Sequence, residues 1–167
     1  MNHEEQKLQM QCVSWFRAQY PQYAMLLTHP INEGGRSTGR IGGIHKAEGT
    51  QAGVPDLLFF MSAEYRKLMP SNRIELIIPY NGLGVEFKTL KGKQSQEQKD
   101  FQKIFEAAGY KYIVIRSFEE FKDKINDYIA HTAEHTRKYV ASAHVEIVQA
   151  AEQREKEKFY KIIGKKK

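Results

Sequence analysis

Two short apolar runs, Gly53-Val54-Pro55-Asp56-Leu57-Leu58 and Gly84-Val85-Glu86-Phe87-Lys88, each set one acidic residue among strand-forming neighbours. Side chains alternate along a strand, so Glu86 and Lys88 share one face while Val85 and Phe87 take the other. One face of such a strand belongs to the core. The other carries an acid and a base side by side, with Asp56 supplying a second acid from its own run.

An acid and a lysine on one strand face, near an acid on a neighbouring strand, have the makings of a metal-and-lysine hydrolytic site. Asp56 and Glu86 are hard oxygen donors of the kind Mg²⁺ prefers. Lys88 is placed to hold or polarise an attacking water, or to balance charge on a phosphate. A Glu-x-Lys strand read by itself is a solvated face. With Pro55-Asp56 ahead of it, the pattern becomes the P-D…E-x-K of metal-dependent nucleases.

The 167 residues suffice for one domain with a real core, and 41% hydrophobic with 28% charged residues is the balance of a globular protein. No apolar run is long enough to span a bilayer, so no membrane partner is expected. The polar, acidic start Met1-Asn2-His3-Glu4-Glu5 shows no secretory signal, and a single cysteine, Cys12, excludes an intramolecular disulfide and a cysteine-based zinc site. A reducing, cytoplasmic setting is expected. The net charge of +6 favours an anionic partner, nucleic acid first. Residues 152–167 hold seven Lys/Arg against three Glu, most of that excess.

Taken in order, residues 4–20 read as a helix on Leu8, Cys12, Trp15 and Phe16, closed by Tyr20-Pro21. Glu5 at its start suits the helix dipole, or faces a metal. A strand is expected over 24–28. The segment from His29 to Gly53 is long and glycine-punctuated, with Arg36, Arg40 and Lys46; it reads as a phosphate-contacting loop or a plain surface loop. It lacks the Gly-Lys-Ser/Thr of a Walker loop.

Further strands are expected over 54–61, 74–78, 83–89 and 112–116, with a short helix or turn over 63–69. Asn81-Gly82 reads as a hairpin turn joining two of these strands. Ser95 with Gln98 forms a capping box for a helix running to Ala108, and the same Gln98 faces back toward the strand ends. Gly109 suits the position after that helix. Ser117 with Glu120 forms a second capping box for the next helix. A mixed sheet flanked by helices follows, with 83–89 parallel to 112–116 through a right-handed crossover.

The succession Ile31-Asn32-Glu33-Gly34-Gly35-Arg36, Lys46-Ala47-Glu48-Gly49, Gly53-Val54-Pro55-Asp56-Leu57, Val85-Glu86-Phe87-Lys88, Ser95-x-x-Gln98 and Ala108-Gly109-Tyr110 resembles the VRR-NUC family, virus-type replication-repair nuclease domains of the PD-(D/E)xK superfamily. The resemblance covers residues 4–130. It implies an α/β restriction-endonuclease-like core and Mg²⁺- or Mn²⁺-dependent phosphodiester cleavage. Asp56, Glu86, Lys88 and Gln98 would be catalytic. Asp56, Glu86, the backbone carbonyl of Phe87 and Glu5, with Glu4 as the alternative, would hold metal. Asn32, Arg36, Arg40, Lys46, Lys91 and Lys93 are the expected DNA contacts.

Stand-alone members of the family are similar to Holliday-junction resolvases, are encoded by phages and bacteria, and act as homodimers. Branched DNA and a second subunit are therefore the implied partners, in the cytoplasm. A sequence-specific restriction-type nuclease, or a DNA-binding module without catalysis, are the competing readings.

The tail lies beyond the resemblance. Residues 1–130 form the nuclease domain in this reading, and 131–167 a basic helical extension. No glycine or proline interrupts Phe118 to Ile163, and Ile125, Ile129, Thr132, Thr136, Tyr139, Ala143, Ile147 and Ala150 step at helical period. So modest a stripe needs a surface, a second subunit or the chain's own core, or else it is a frayed, solvated end.

Overall fold

A computed structural model describes residues 3–30, 47–68 and 75–164. Asn32, Arg36, Arg40 and Lys46 lie outside these residues. Helix α1 spans His3–Gln19, with Cys12 and Phe16 fully buried. Pro21 stops it, and a 3-10 helix, Pro21–Leu26, follows where a strand was expected; only Leu27–Thr28 (β1) is extended. A proline is favoured at the first turn of a helix, and Tyr20 and Tyr23 stack at 6.0 Å between ring centres to fix that turn.

β2 is Leu57–Phe59, shorter than expected because Gly53 to Asp56 bends rather than pairs. The segment expected as a helix or turn is instead strand β3, Ala63–Leu68, paired antiparallel with β4, Glu75–Tyr80. Its period was two after all: Ala63 and Tyr65 turn inward, Glu64 and Arg66 outward. β3 and β4 form a separate two-stranded sheet.

Asn81-Gly82 is therefore no hairpin turn. It passes the chain from that sheet to β5, Leu83–Phe87, and its backbone bonds Gly109 and Lys111 instead. Tyr65 carries the small sheet onto the body: its ring lies 4.0 Å from His131 and its hydroxyl donates to Asp127.

Helix α2 (Gln96–Ala107), strand β6 (Lys111–Ile115) and helix α3 (Phe118–Ala130) complete the core. The main sheet has the order β1-β2-β5-β6. Its first two pairings are antiparallel and the last, β5 with β6, is parallel. This is the mixed, helix-flanked sheet expected from the sequence. Val85 and Phe87 enter the core with Cys12, Phe16, Phe121 and Ile125 of α1 and α3. The alternate residues, Gly84, Glu86 and Lys88, belong to the face that α2 covers.

The uninterrupted helix expected after Phe118 breaks at His131–Ala133, and α4 runs separately over Glu134–Gly164. No glycine or proline causes the break; tertiary contacts do. The His131 carbonyl accepts from the Glu64 N–H of β3, and Thr132 is buried. The break resets the helical phase, so the part-buried residues of α4 are Thr136, Arg137, Val140, Ala141 and His144, while Tyr139, Ala143 and Ile147 of the expected stripe are exposed. α4 packs on the 3-10 helix through its first turns. After His144 every described side chain of α4 is exposed. Among the described residues no helix is long and apolar enough to cross a membrane.

Candidate metal centre

The site is built where β2 and β5 part. Gly53 begins it, at φ +84°. A Cβ there would stand 2.2 Å from the Glu97 carbonyl oxygen, so only glycine lets this bend lie against the first turn of α2. The bend delivers Asp56 to the end of β5. There Asp56 Oδ2 accepts the Phe87 N–H at 2.8 Å, a bond that replaces the next rung of the ladder. The carbonyl of Phe87 leaves the strand on the same edge as its N–H, toward Asp56.

Glu86 is fully buried. Its Oε1 receives Lys88 Nζ at 2.5 Å and also Gln98 Nε2, and its Oε2 receives the Tyr112 hydroxyl at 3.3 Å. Gln98 fills both roles open to it. Its Oε1 accepts the Ser95 N–H to complete the capping box, and its amide nitrogen reaches Glu86. Helix start and acid are thus joined through one side chain. The second cap is different: Ser117 Oγ accepts the Glu120 N–H, but Glu120 reaches one residue further back, to the Arg116 N–H.

Electrostatics follow from burial. Desolvation and the charge of Asp56 push the Glu86 carboxyl up to about 7, against the opposing pull of Lys88 and Tyr112. Burial also raises Asp56; the Phe87 N–H, Lys88 and His29 draw it back, and Glu5 pushes it further up. Buried carboxyls whose protons are held on by burial and by a neighbouring acid are a site that a cation would relieve.

Glu5, from the first turn of α1, accepts the Thr89 N–H on its Oε1 at 3.1 Å and shares a pocket with Lys88. Glu4 lies beside it at the same pocket. Lys91 and Lys93 are exposed on the segment between β5 and α2. Among the described residues no three His, Cys, Asp or Glu side chains converge as a closed cation cage. Two carboxylates and one peptide carbonyl nevertheless suit Mg²⁺, which keeps several waters and takes one or two carboxylates plus substrate phosphate.

Four contributors were not foreseen. Tyr112 lies opposite Gly84 in the parallel register, and the missing side chain at Gly84 opens the way to Glu86. A glycine inside a strand marks such a close approach, and that was the available signal. His29 Nδ1 donates to the Asp56 carbonyl at 2.6 Å, and Gln9, one turn along α1 from Glu5, lies 3.1 Å from the same nitrogen. Arg116 binds two carbonyls after Lys88. Nothing in the spacing of these last residues pointed to the site.

The fold is one already seen. A solved structure described as a VRR_NUC domain protein matches this chain with a TM-score of 0.58 over 79% of this chain and 93% of its own, at 19% identity. At that identity the likeness is one of fold. No protein-family model matches the chain, and no curated protein does.

Proposed function

We propose that this chain is a metal-dependent endodeoxyribonuclease acting on branched DNA such as Holliday junctions. The observation that carries the reading is the convergence of Asp56, Glu86 and Lys88, with Gln98, at one end of a nuclease-type sheet. Asp56, Glu86 and the Phe87 carbonyl would hold Mg²⁺ or Mn²⁺, with Glu5 acting from further out through water. Bound there, such an ion would supply Lewis-acid charge and an activated water. Lys88, oriented by Glu86, holds an attacking water or a phosphate oxygen. Gln98 and Tyr112 fix the Glu86 carboxylate. Asn32, Arg36, Arg40, Lys46, Lys91 and Lys93 engage the backbone of the DNA.

In this reading residues 1–130 are the nuclease unit and 131–167 an extension that brings two copies together. Tyr139, Val145, Ile147, Val148, Phe159 and Tyr160 are exposed apolar side chains of α4, an excess on one helix that suits a helical partner. A symmetric pair would present two sites to the paired strands of a junction. A buried lysine aimed at a buried acid argues against a module that only binds DNA. A restriction-type enzyme would share this site, so substrate decides between them. Incubating the protein with four-way junctions, flaps and linear duplexes, with Mg²⁺ or Mn²⁺, tests the reading. Cleavage of the branched DNA is expected, and cleavage of duplex at one sequence alone would favour the restriction-type enzyme.

A further inference from the structure

Asp56 sits where the regular pairing of β2 stops on both sides. Leu27 lies opposite Phe59 and Thr28 opposite Leu58, so the same register brings Pro30 opposite Asp56. The Phe60 N–H donates to the Leu26 carbonyl at 2.9 Å, which makes Leu26 and Phe60 a hydrogen-bonded pair. Such pairs recur at every second residue of an antiparallel ladder, so the Asp56 carbonyl would take its bond from the N–H of residue 30. Proline has none to give.

The ring of His29 supplies the missing donor. Its Nδ1 lies 2.6 Å from the Asp56 carbonyl oxygen, and a carbonyl only accepts, so Nδ1 carries the hydrogen. Gln9, buried on α1, sets its amide 3.1 Å from the same nitrogen, and only its oxygen end can share a hydrogen already directed at Asp56. On the opposite edge of β2, Asp56 Oδ2 accepts the Phe87 N–H, again a side chain in place of a rung. Asp56 is thus tied once through its main chain and once through its carboxylate. Regular pairing provides neither bond.

We infer that His29 is a positioning residue for the metal site: its imidazole, backed by Gln9, stands in for the N–H that Pro30 lacks and holds Asp56 where its carboxylate shares an ion with Glu86. The inference rests on the reading of this site as a metal centre and adds a residue outside the ligand set. Groups that orient a metal ligand raise the affinity of the site without touching the ion.

The test uses Mn²⁺ alone, without DNA, its binding followed by the electron paramagnetic resonance signal of the free ion. Asp56→Ala, measured alongside, should weaken binding and so place the ion at this site. His29→Ala should weaken it about tenfold or more, the usual effect of losing a group that orients a ligand. His29→Asn keeps an N–H donor close to the position of Nδ1 and should bind Mn²⁺ as the unsubstituted chain does. His29 is exposed, so none of its substitutions should prevent folding, which circular dichroism checks. Unchanged affinity in His29→Ala would overturn the inference. So would an asparagine variant that binds as weakly as the alanine one, since the imidazole would then be a ligand itself. The underlying readings fail separately. If the unsubstituted chain binds no Mn²⁺, or binds it equally well after Asp56→Ala, the metal centre falls and the inference with it. Mn²⁺ binding that depends on His29, with no cleavage of any DNA, would end the nuclease reading and leave the inference standing.

Discussion

Substituting Glu86 by glutamine should leave the protein inactive and change how its stability depends on pH. Glu86 is fully buried, and burial together with the Asp56 charge moves its carboxyl from 4.5 up to about 7. Between those two values the native state binds more protons than the unfolded chain, so stability falls as pH rises through the window and levels off above it. At 1.36 kcal/mol per unit the whole displacement is worth about 3 kcal/mol, of which about 2 kcal/mol falls between pH 5 and pH 8.

Glutamine keeps the shape and the acceptor for Lys88 and Gln98 but has no charge to lose. Urea unfolding of both proteins with EDTA present, at pH 5 and at pH 8, reads the effect directly. The unsubstituted chain should lose about 2 kcal/mol more than Glu86→Gln across that range. Parallel pH dependences in the two proteins would show that Glu86 titrates as an ordinary carboxylate, and the reasoning about its burial would be refuted.

Three further outcomes are expected. Gly53→Ala forces a left-handed backbone and a clash with the Glu97 carbonyl; it should cost about 2 kcal/mol or more in urea unfolding and lower cleavage with it. Deleting residues 145–167 removes the exposed part of α4 while leaving Thr132 and Val140 on the core; on the proposed pairing through α4, light scattering should give a dimer for the full chain and a monomer for the shortened one, and equal subunit numbers would contradict that pairing. The Cys12 thiol is buried and pushed up to about 12; thiol reagents at pH 8 should leave it unmodified until denaturant is added.

The site was legible in the sequence to the extent that strand alternation and local capping determine it. Glu86 and Lys88 had to share a face once 83–87 was extended, and Ser95 with Gln98 had to cap the helix that follows. The parallel pairing of β5 with β6 followed from the helix between them. What tertiary contact decides was not legible. Asn81-Gly82 carries a hairpin signature, yet β4 found β3, whose Ala63 and Tyr65 supplied a buried face. The helix break at His131 comes from the Glu64 N–H and the stacked Tyr65 ring, neither of which is local to it. His29, Tyr112 and Arg116 entered the site by the same kind of long-range meeting.

The most direct test of the account is the initial rate of junction cleavage with Mg²⁺ for the unsubstituted chain, Asp56→Ala and Lys88→Ala, each first checked for an unchanged circular-dichroism spectrum. Loss of an acid that would hold the ion, or of the lysine that would face the phosphate, should lower the rate on the order of 10³-fold or more. Cleavage by Asp56→Ala at close to the unsubstituted rate would contradict the assignment of this site.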